Sequence, residues 1–189
     1  MSELNIVTIC GSLRKASYNA ALMRALPGLA PAEMTFSVAP PFDQFPFYDQ
    51  DLQAASGFPA PVVPFADAIR AADGVIIITP EYNWTIPGAL KNAIDWVSRL
   101  PDQPFREKPV AIQSCTGGPL GGARMQYHLR MALMFLNAFV FGTPEIFVGL
   151  AHTKFDPQTL ELTDETTRKF VGQQLAAFAK FIARVSEKS

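Results

Sequence analysis

Apolar positions along the chain fall into short, nearly continuous runs separated by longer amphipathic stretches. Leu4-Asn5-Ile6-Val7-Thr8-Ile9-Cys10 is apolar and β-branched and stops at Gly11, the pattern of a strand buried on both faces. Ser17 stands as an N-cap before a helix whose apolar face is Ala21, Leu22, Ala25 and Leu26, closed by Pro27 and Gly28. Met34 to Val38 reads as a second strand. Val62 to Ala72 reads as a helix with Val62, Phe65, Ala66 and Ile69 on one face. Gly74-Val75-Ile76-Ile77-Ile78-Thr79 is the third strand, and Leu90, Ile94 and Val97 mark the helix after it. Val110 to Ser114 is a fourth strand, followed by a glycine-rich turn and a helix from Ala123 to Leu136. Met131 to Leu136 is apolar nearly all round, which predicts burial on several sides. A fifth strand lies within Ala138 to Val148, broken at Gly142-Thr143-Pro144. Asp164 to Val185 closes the chain as a helix with Phe170, Leu175, Phe178 and Ile182 inward.

Strands alternating with helices predict an α/β fold: a parallel sheet with helices on both faces. Five strands favour the flavodoxin-like order 2-1-3-4-5, with a site where strands one and three diverge. Those strands deliver Gly11-Ser12 and Pro80-Glu81-Tyr82-Asn83-Trp84-Thr85-Ile86-Pro87-Gly88 to one edge of the sheet. Pro40 to Pro61 is the longest stretch without periodicity and carries Phe42, Phe45, Phe47, Tyr48 and Phe58. Two readings of it stand, a cover packing its aromatics on the sheet edge or a lid over substrate.

Composition narrows the class. The 189 residues fit one domain, taken as residues 1–189, and 49% hydrophobic with 17% charged residues is the balance of a globule. A net charge of −1 gives no footprint for nucleic acid or an anionic membrane. No apolar run approaches the roughly 18 residues that span a bilayer. Met1 to Asn5 lacks the basic start of a signal peptide, and two cysteines make no disulfide framework, so a cytoplasmic location is expected. Cys10 and Cys115 end strands one and four, about 10 Å apart across the intervening strand, and read as small buried hydrophobes. His128 and His152 have no Cys, Asp or Glu at ligand spacing, so no metal site is expected. No Ser-His-Asp order or Cys-His pairing is present.

The loop after strand one offers Ser12, Arg14, Ser17 and Asn19 ahead of a helix N-terminus, the parts of a phosphate site. Its single glycine excludes the G-x-G-x-x-G fingerprint and Walker A, so these donors suit one terminal phosphate of a mononucleotide over a pyrophosphate. Ser17 and Asn19 also read as capping residues, and Arg14 as a surface charge. Ser114 to Gly122 has glycines that let a backbone approach a flat ring, or that simply make a flexible turn.

Gly11 to Asn19, Pro80 to Trp96 and Gly121 to Arg130 together resemble the NAD(P)H-dependent FMN reductases, in their bacterial quinone and chromate reductase branch. The resemblance runs from residue 4 to residue 185. It implies bound FMN, NAD(P)H as co-substrate and an assembly of dimers into tetramers. It assigns Ser12, Arg14, Ser17 and Asn19 to the FMN phosphate, and Pro80, Glu81, Tyr82 and Asn83 to the ring edge. Ser114, Thr116, Gly117 and Gly118 fall in its third flavin loop, and Arg124, Tyr127 and Glu145 at its intersubunit network. Trp84 stands where these relatives often carry tyrosine. An indole donates a hydrogen bond but cannot accept one. Trp84 reads as an interface or a site residue, and Trp96 as core.

Three functions follow from the resemblance. The first is a reductase passing hydride from NAD(P)H to FMN and electrons on to quinones, with chromate as a further acceptor. The second is an FMN reductase that supplies reduced flavin to a monooxygenase. The third, from a different class, is a flavodoxin-like carrier, which the net charge of −1 disfavours because carriers usually show a strongly acidic docking face. The chemistry belongs to the cofactor, and no residue is needed as general acid.

Overall fold

The computed structural model describes residues 3–186. Met1 and Ser2, where the stretch read for a leader begins, lie outside them. In chain order the elements are β1 (Leu4–Cys10), α1 (Tyr18–Ala25), β2 (Met34–Val38), α2 (Gln50–Ser56), α3 (Val62–Ala71) and β3 (Gly74–Ile78). They continue with α4 (Gly88–Val97), β4 (Pro109–Cys115), α5 (Ala123–Phe135), β5 (Phe139–Val140), β6 (Ile146–Val148) and α6 (Glu165–Ser186).

The strands pair in parallel in the order β2-β1-β3-β4-β5, and β6 also pairs with β4. This is the flavodoxin-like sheet that the alternation predicts. The fifth position is shared by two short strands: β5 meets Pro109 and Val110, and β6 meets Gln113 to Cys115. The break holds a cis peptide bond at Thr143-Pro144. Alternate residues of each central strand face opposite layers, as the two-residue period of a strand requires. Val7, Ile9, Val75, Ile77, Val110 and Ile112 pack with α3, α4 and α5. Ile6, Ile76, Ile78 and Ala111 pack with α1 and α6 on the other face.

Pro40 to Pro61 differs from its reading as irregular chain. It contains α2, which begins at Asp49, whose carboxylate accepts from the N–H of Asp51 and Leu52, and ends at Gly57 with φ 73°. No residue of α2 is buried, so it has no apolar stripe to betray it. The segment's aromatics pack on α3 and α4. Phe42 and Phe45 pack edge-on against Phe65, and Tyr48 and Phe58 against Trp96. Trp96 Nε1 and Asn92 Nδ2 both donate to the Pro46 carbonyl, at 2.8 and 2.9 Å. Asn92 Oδ1 accepts from Tyr48 N–H at 2.8 Å.

Two helix faces differ from expectation. Met131 and Met134 are exposed and Phe135 is 90% exposed, so the apolar end of α5 is not buried on several sides. Only Met125, Gln126, Leu129 and Leu133 of α5 are buried, at the spacing of one face. Phe170 is 52% exposed rather than inward, because Val171, Gln174, Leu175 and Phe178 carry the buried stripe of α6. No helix among the described residues is long and apolar enough to cross a membrane.

Candidate functional site: a cleft at the carboxyl ends of three strands

The site starts from how closely β1 and β3 run. Cys10 is level with Ile78, and Gly11 N–H donates to the Ile78 carbonyl at 2.8 Å. A Cβ on Gly11 would sit 2.1 Å from Thr79 Oγ1, so only glycine lets the two strand ends lie together here. Beyond Gly11 the chain turns into α1. Ser17 caps that helix, its Oγ accepting from Asn19 N–H at 3.1 Å. The main-chain N–H groups of Ser12, Leu13 and Arg14 find no acceptor among the described residues. Free donors ahead of a helix N-terminus form an anion site.

Asn19 has a structural task as well. Its buried side chain donates to the Cys115 carbonyl at 2.8 Å and accepts from Cys115 N–H at 3.0 Å. This pair ties the loop after β1 to the end of β4. Burial pushes the Cys115 thiol up to about 12 and raises that of Cys10, so both stay neutral thiols at ordinary pH.

The turn after β4 is shaped by other contacts. Ser114 is buried; its hydroxyl donates to the Gly121 carbonyl at 2.5 Å and accepts from Gln126 Nε2 at 2.8 Å. Gly122 precedes α5 with φ 87°, and a Cβ there would meet Ser114 at 2.9 Å. Gly117 and Gly118 differ: no protein atom lies within 4 Å of a Cβ built on either. Their small size is not required by the chain's own packing and leaves room for something else.

Pro80 to Thr85 forms the third wall. Tyr82 and Thr85 exchange main-chain hydrogen bonds at 3.1 and 3.0 Å, making Asn83 and Trp84 a two-residue hairpin turn. Both have positive φ, 49° and 67°. Asparagine tolerates that geometry, but a large side chain there costs about 1–2 kcal/mol. Helix α5 steadies the turn. Glu81 accepts from Met125 N–H, in the first turn of α5, at 3.1 Å, and its other oxygen lies 3.6 Å from Arg124. The Arg124 guanidinium stands over the Trp84 ring, 4.3 Å from its centroid. His128 Nδ1 lies 2.9 Å from Thr85 Oγ1.

These loops enclose a cleft of about 180 Å³ lined by Ser12, Arg14, Ser17, Asn19, Pro80, Glu81, Tyr82, Thr116 and Gly117, with Tyr18 and Cys115. Asn83, Ser114 and Gly118 do not line it. Tyr18, at the first position of α1, was not singled out from sequence; its place directly after Ser17 was the available signal. Glu81 was singled out for a ligand, and the structure adds its hold on α5. Arg124 is turned to Glu81 and Trp84, whereas Tyr127 and Glu145 meet each other at 3.4 Å and Arg130 pairs with Glu145 at 3.3 Å. A larger cavity, about 460 Å³, opens between the end of α1 and residues 159–163. Volume does not make it the site, since it lies away from the strand ends where such sheets bind ligands.

Residues 4–153 match the NADPH-dependent FMN reductase family. The chain belongs to that family. A quinone reductase of Escherichia coli strain K12 is 53% identical over 186 residues, 98% of this chain and 99% of that protein. An NAD(P)H-dependent FMN reductase of Pseudomonas aeruginosa is 42% identical over 183 residues, 97% of each chain. Among solved structures, the flavoenzyme NAD(P)H:(acceptor) oxidoreductase FerB of Paracoccus denitrificans superposes with a TM-score of 0.84 at 33% identity, covering 96% of this chain and 98% of that one. The chain is thus an FMN-dependent oxidoreductase that draws on NAD(P)H.

FMN fits the donor set of the cleft. Its single phosphate matches the free N–H groups and hydroxyls ahead of α1, and its flat ring matches the open space beside Gly117. Among the described residues no three His, Cys, Asp or Glu side chains gather to hold a metal ion.

Proposed function

We propose that the protein is an NAD(P)H-dependent quinone reductase that keeps FMN bound between turnovers. The carrying observation is the convergence of the loops after β1, β3 and β4 on one cleft, with unpaired main-chain donors at one end and open space at the Cα of Gly117 at the other. Quinone reductases stand among its relatives, including a 2-hydroxy-1,4-benzoquinone reductase of a Burkholderia species that is 36% identical over 180 residues.

Bound FMN supplies the two-electron chemistry, accepting hydride from NAD(P)H and passing electrons to the acceptor. In this reading Ser12, Arg14 and Ser17 hold the phosphate, and Asn19 keeps their loop against β4. Pro80, Glu81, Tyr82 and Asn83 edge the ring, Thr116, Gly117 and Gly118 offer main chain to its other side, and Ser114 braces that loop from behind. The nicotinamide and the quinone occupy the same open face in turn. Chromate is a further acceptor of the same cleft.

The assembly is a homodimer or a homotetramer. Tyr127, Met131, Met134 and Phe135 leave a large exposed apolar stretch of α5 to be covered by another copy. Arg124, Tyr127 and Glu145 belong to that contact. The chain works as one FMN-binding domain across residues 1–189, in the cytoplasm.

The test is retention of flavin and turnover. Protein that stays yellow through gel filtration and oxidises NAD(P)H with a quinone panel supports the reading. Colourless protein that needs added FMN, and releases it reduced, is instead a supplier of reduced flavin to a monooxygenase.

A further inference from the structure

Trp84 combines three features that ordinary packing leaves unexplained. It occupies the second position of a hairpin turn with φ 67°, where glycine is the natural occupant. The residue is 65% exposed, so burial does not compensate the turn. One ring face is nevertheless held in place, by Arg124 at 4.3 Å, and Arg124 is itself fixed by Glu81. A backbone conformation disfavoured for a large side chain, kept by the Tyr82–Thr85 pair and by Arg124 on one ring face, marks a functional position. The base of this hairpin, Tyr82, lines the cleft.

We propose that Trp84 is a specificity-determining residue whose open indole face receives the flat ring of a quinone as it enters the cleft. This rests on the quinone reductase reading. A quinone is electron-poor and apolar, and an indole is electron-rich and apolar, so offset stacking favours the pair. Arg124 behind the indole fixes its plane before the acceptor arrives, which lowers the ordering cost of binding. Small inorganic oxidants have no ring to stack and gain nothing from the same surface.

The experiment compares FMN-loaded wild type with Trp84→Gly, Trp84→Asn and Trp84→Phe, using 1,4-naphthoquinone and ferricyanide as acceptors. Glycine and asparagine both suit the turn, so either variant that folds carries the test, with melting temperature as the check. The ratio of kcat/KM for naphthoquinone to that for ferricyanide falls about tenfold in Trp84→Gly and Trp84→Asn, through KM rather than kcat. Trp84→Phe, which keeps a ring, stays within about threefold of wild type. An unchanged ratio in the glycine and asparagine variants overturns the assignment. So does an equal loss with both acceptors, which is the signature of a displaced loop. If wild type reduces ferricyanide but no quinone, the quinone reading itself fails before any variant is made.

Discussion

The two ends of the cleft are built on opposite principles. At the end proposed to hold the phosphate, the frame is close-packed and hydrogen-bonded, leaving the loop's own donors free: Gly11 lies against Thr79, Ser17 caps α1, and Asn19 grips the main chain of Cys115. At the other end, the Asn83-Trp84 turn is strained and exposed, closed by the Tyr82–Thr85 pair and braced from α5. The difference teaches how such a site divides its work. In the proposed reading, a preorganised end gives affinity for a group that stays bound. An adjustable lip meets molecules that come and go, where tight fixation would slow exchange.

The comparison breaks first at Gly11. Gly11→Val forces a side chain into Thr79 and Leu90 and separates the ends of β1 and β3. It should cost about 3 kcal/mol or more of stability, read by urea unfolding, and abolish FMN binding. Asn19→Ala comes next. It leaves the Cys115 N–H and carbonyl buried without partners and should cost about 2–4 kcal/mol in the same assay. Arg14 is exposed and bonds only weakly to the Ala16 carbonyl, at 3.4 Å. Arg14→Ala should therefore leave the unfolding of the FMN-free protein unmoved while weakening FMN by about 1–3 kcal/mol in a fluorescence titration. Glu81→Ala sharpens the contrast from the other end. It removes the acceptor for Met125 N–H and frees Arg124, for about 1 kcal/mol of stability. Its larger signature should be in quinone KM, with FMN affinity falling less than in Arg14→Ala. A loss of FMN greater than that of Arg14→Ala would erase the distinction between the two ends.

The turn and cap after β1 were legible because their signals are local. A serine before a helix and a glycine after a buried strand carry their meaning within a few residues. The sheet order was legible too, since near-continuous β-branched runs are what strands covered on both faces require. What escaped depends on contacts across the chain. Nothing near Ser114 says that Gly121 and Gln126 occupy its hydroxyl, or that Glu81 caps a helix 44 residues on. The exposed end of α5 escaped for another reason. An apolar run reports that a surface is to be covered, not whether its own chain covers it; Met131, Met134 and Phe135 are left bare within the protomer. Helix α2 went unseen because it has caps but no buried face, and periodicity was the signal sought.

The central claim is that this cleft holds FMN and passes electrons from nicotinamide to quinone. An anaerobic titration of the gel-filtered protein tests it most directly. The yellow absorbance should bleach with one equivalent of NADH or NADPH per flavin and return in full on adding one equivalent of 1,4-naphthoquinone. Flavin that neither nicotinamide bleaches would contradict the account, leaving a protein that carries FMN but does not use NAD(P)H.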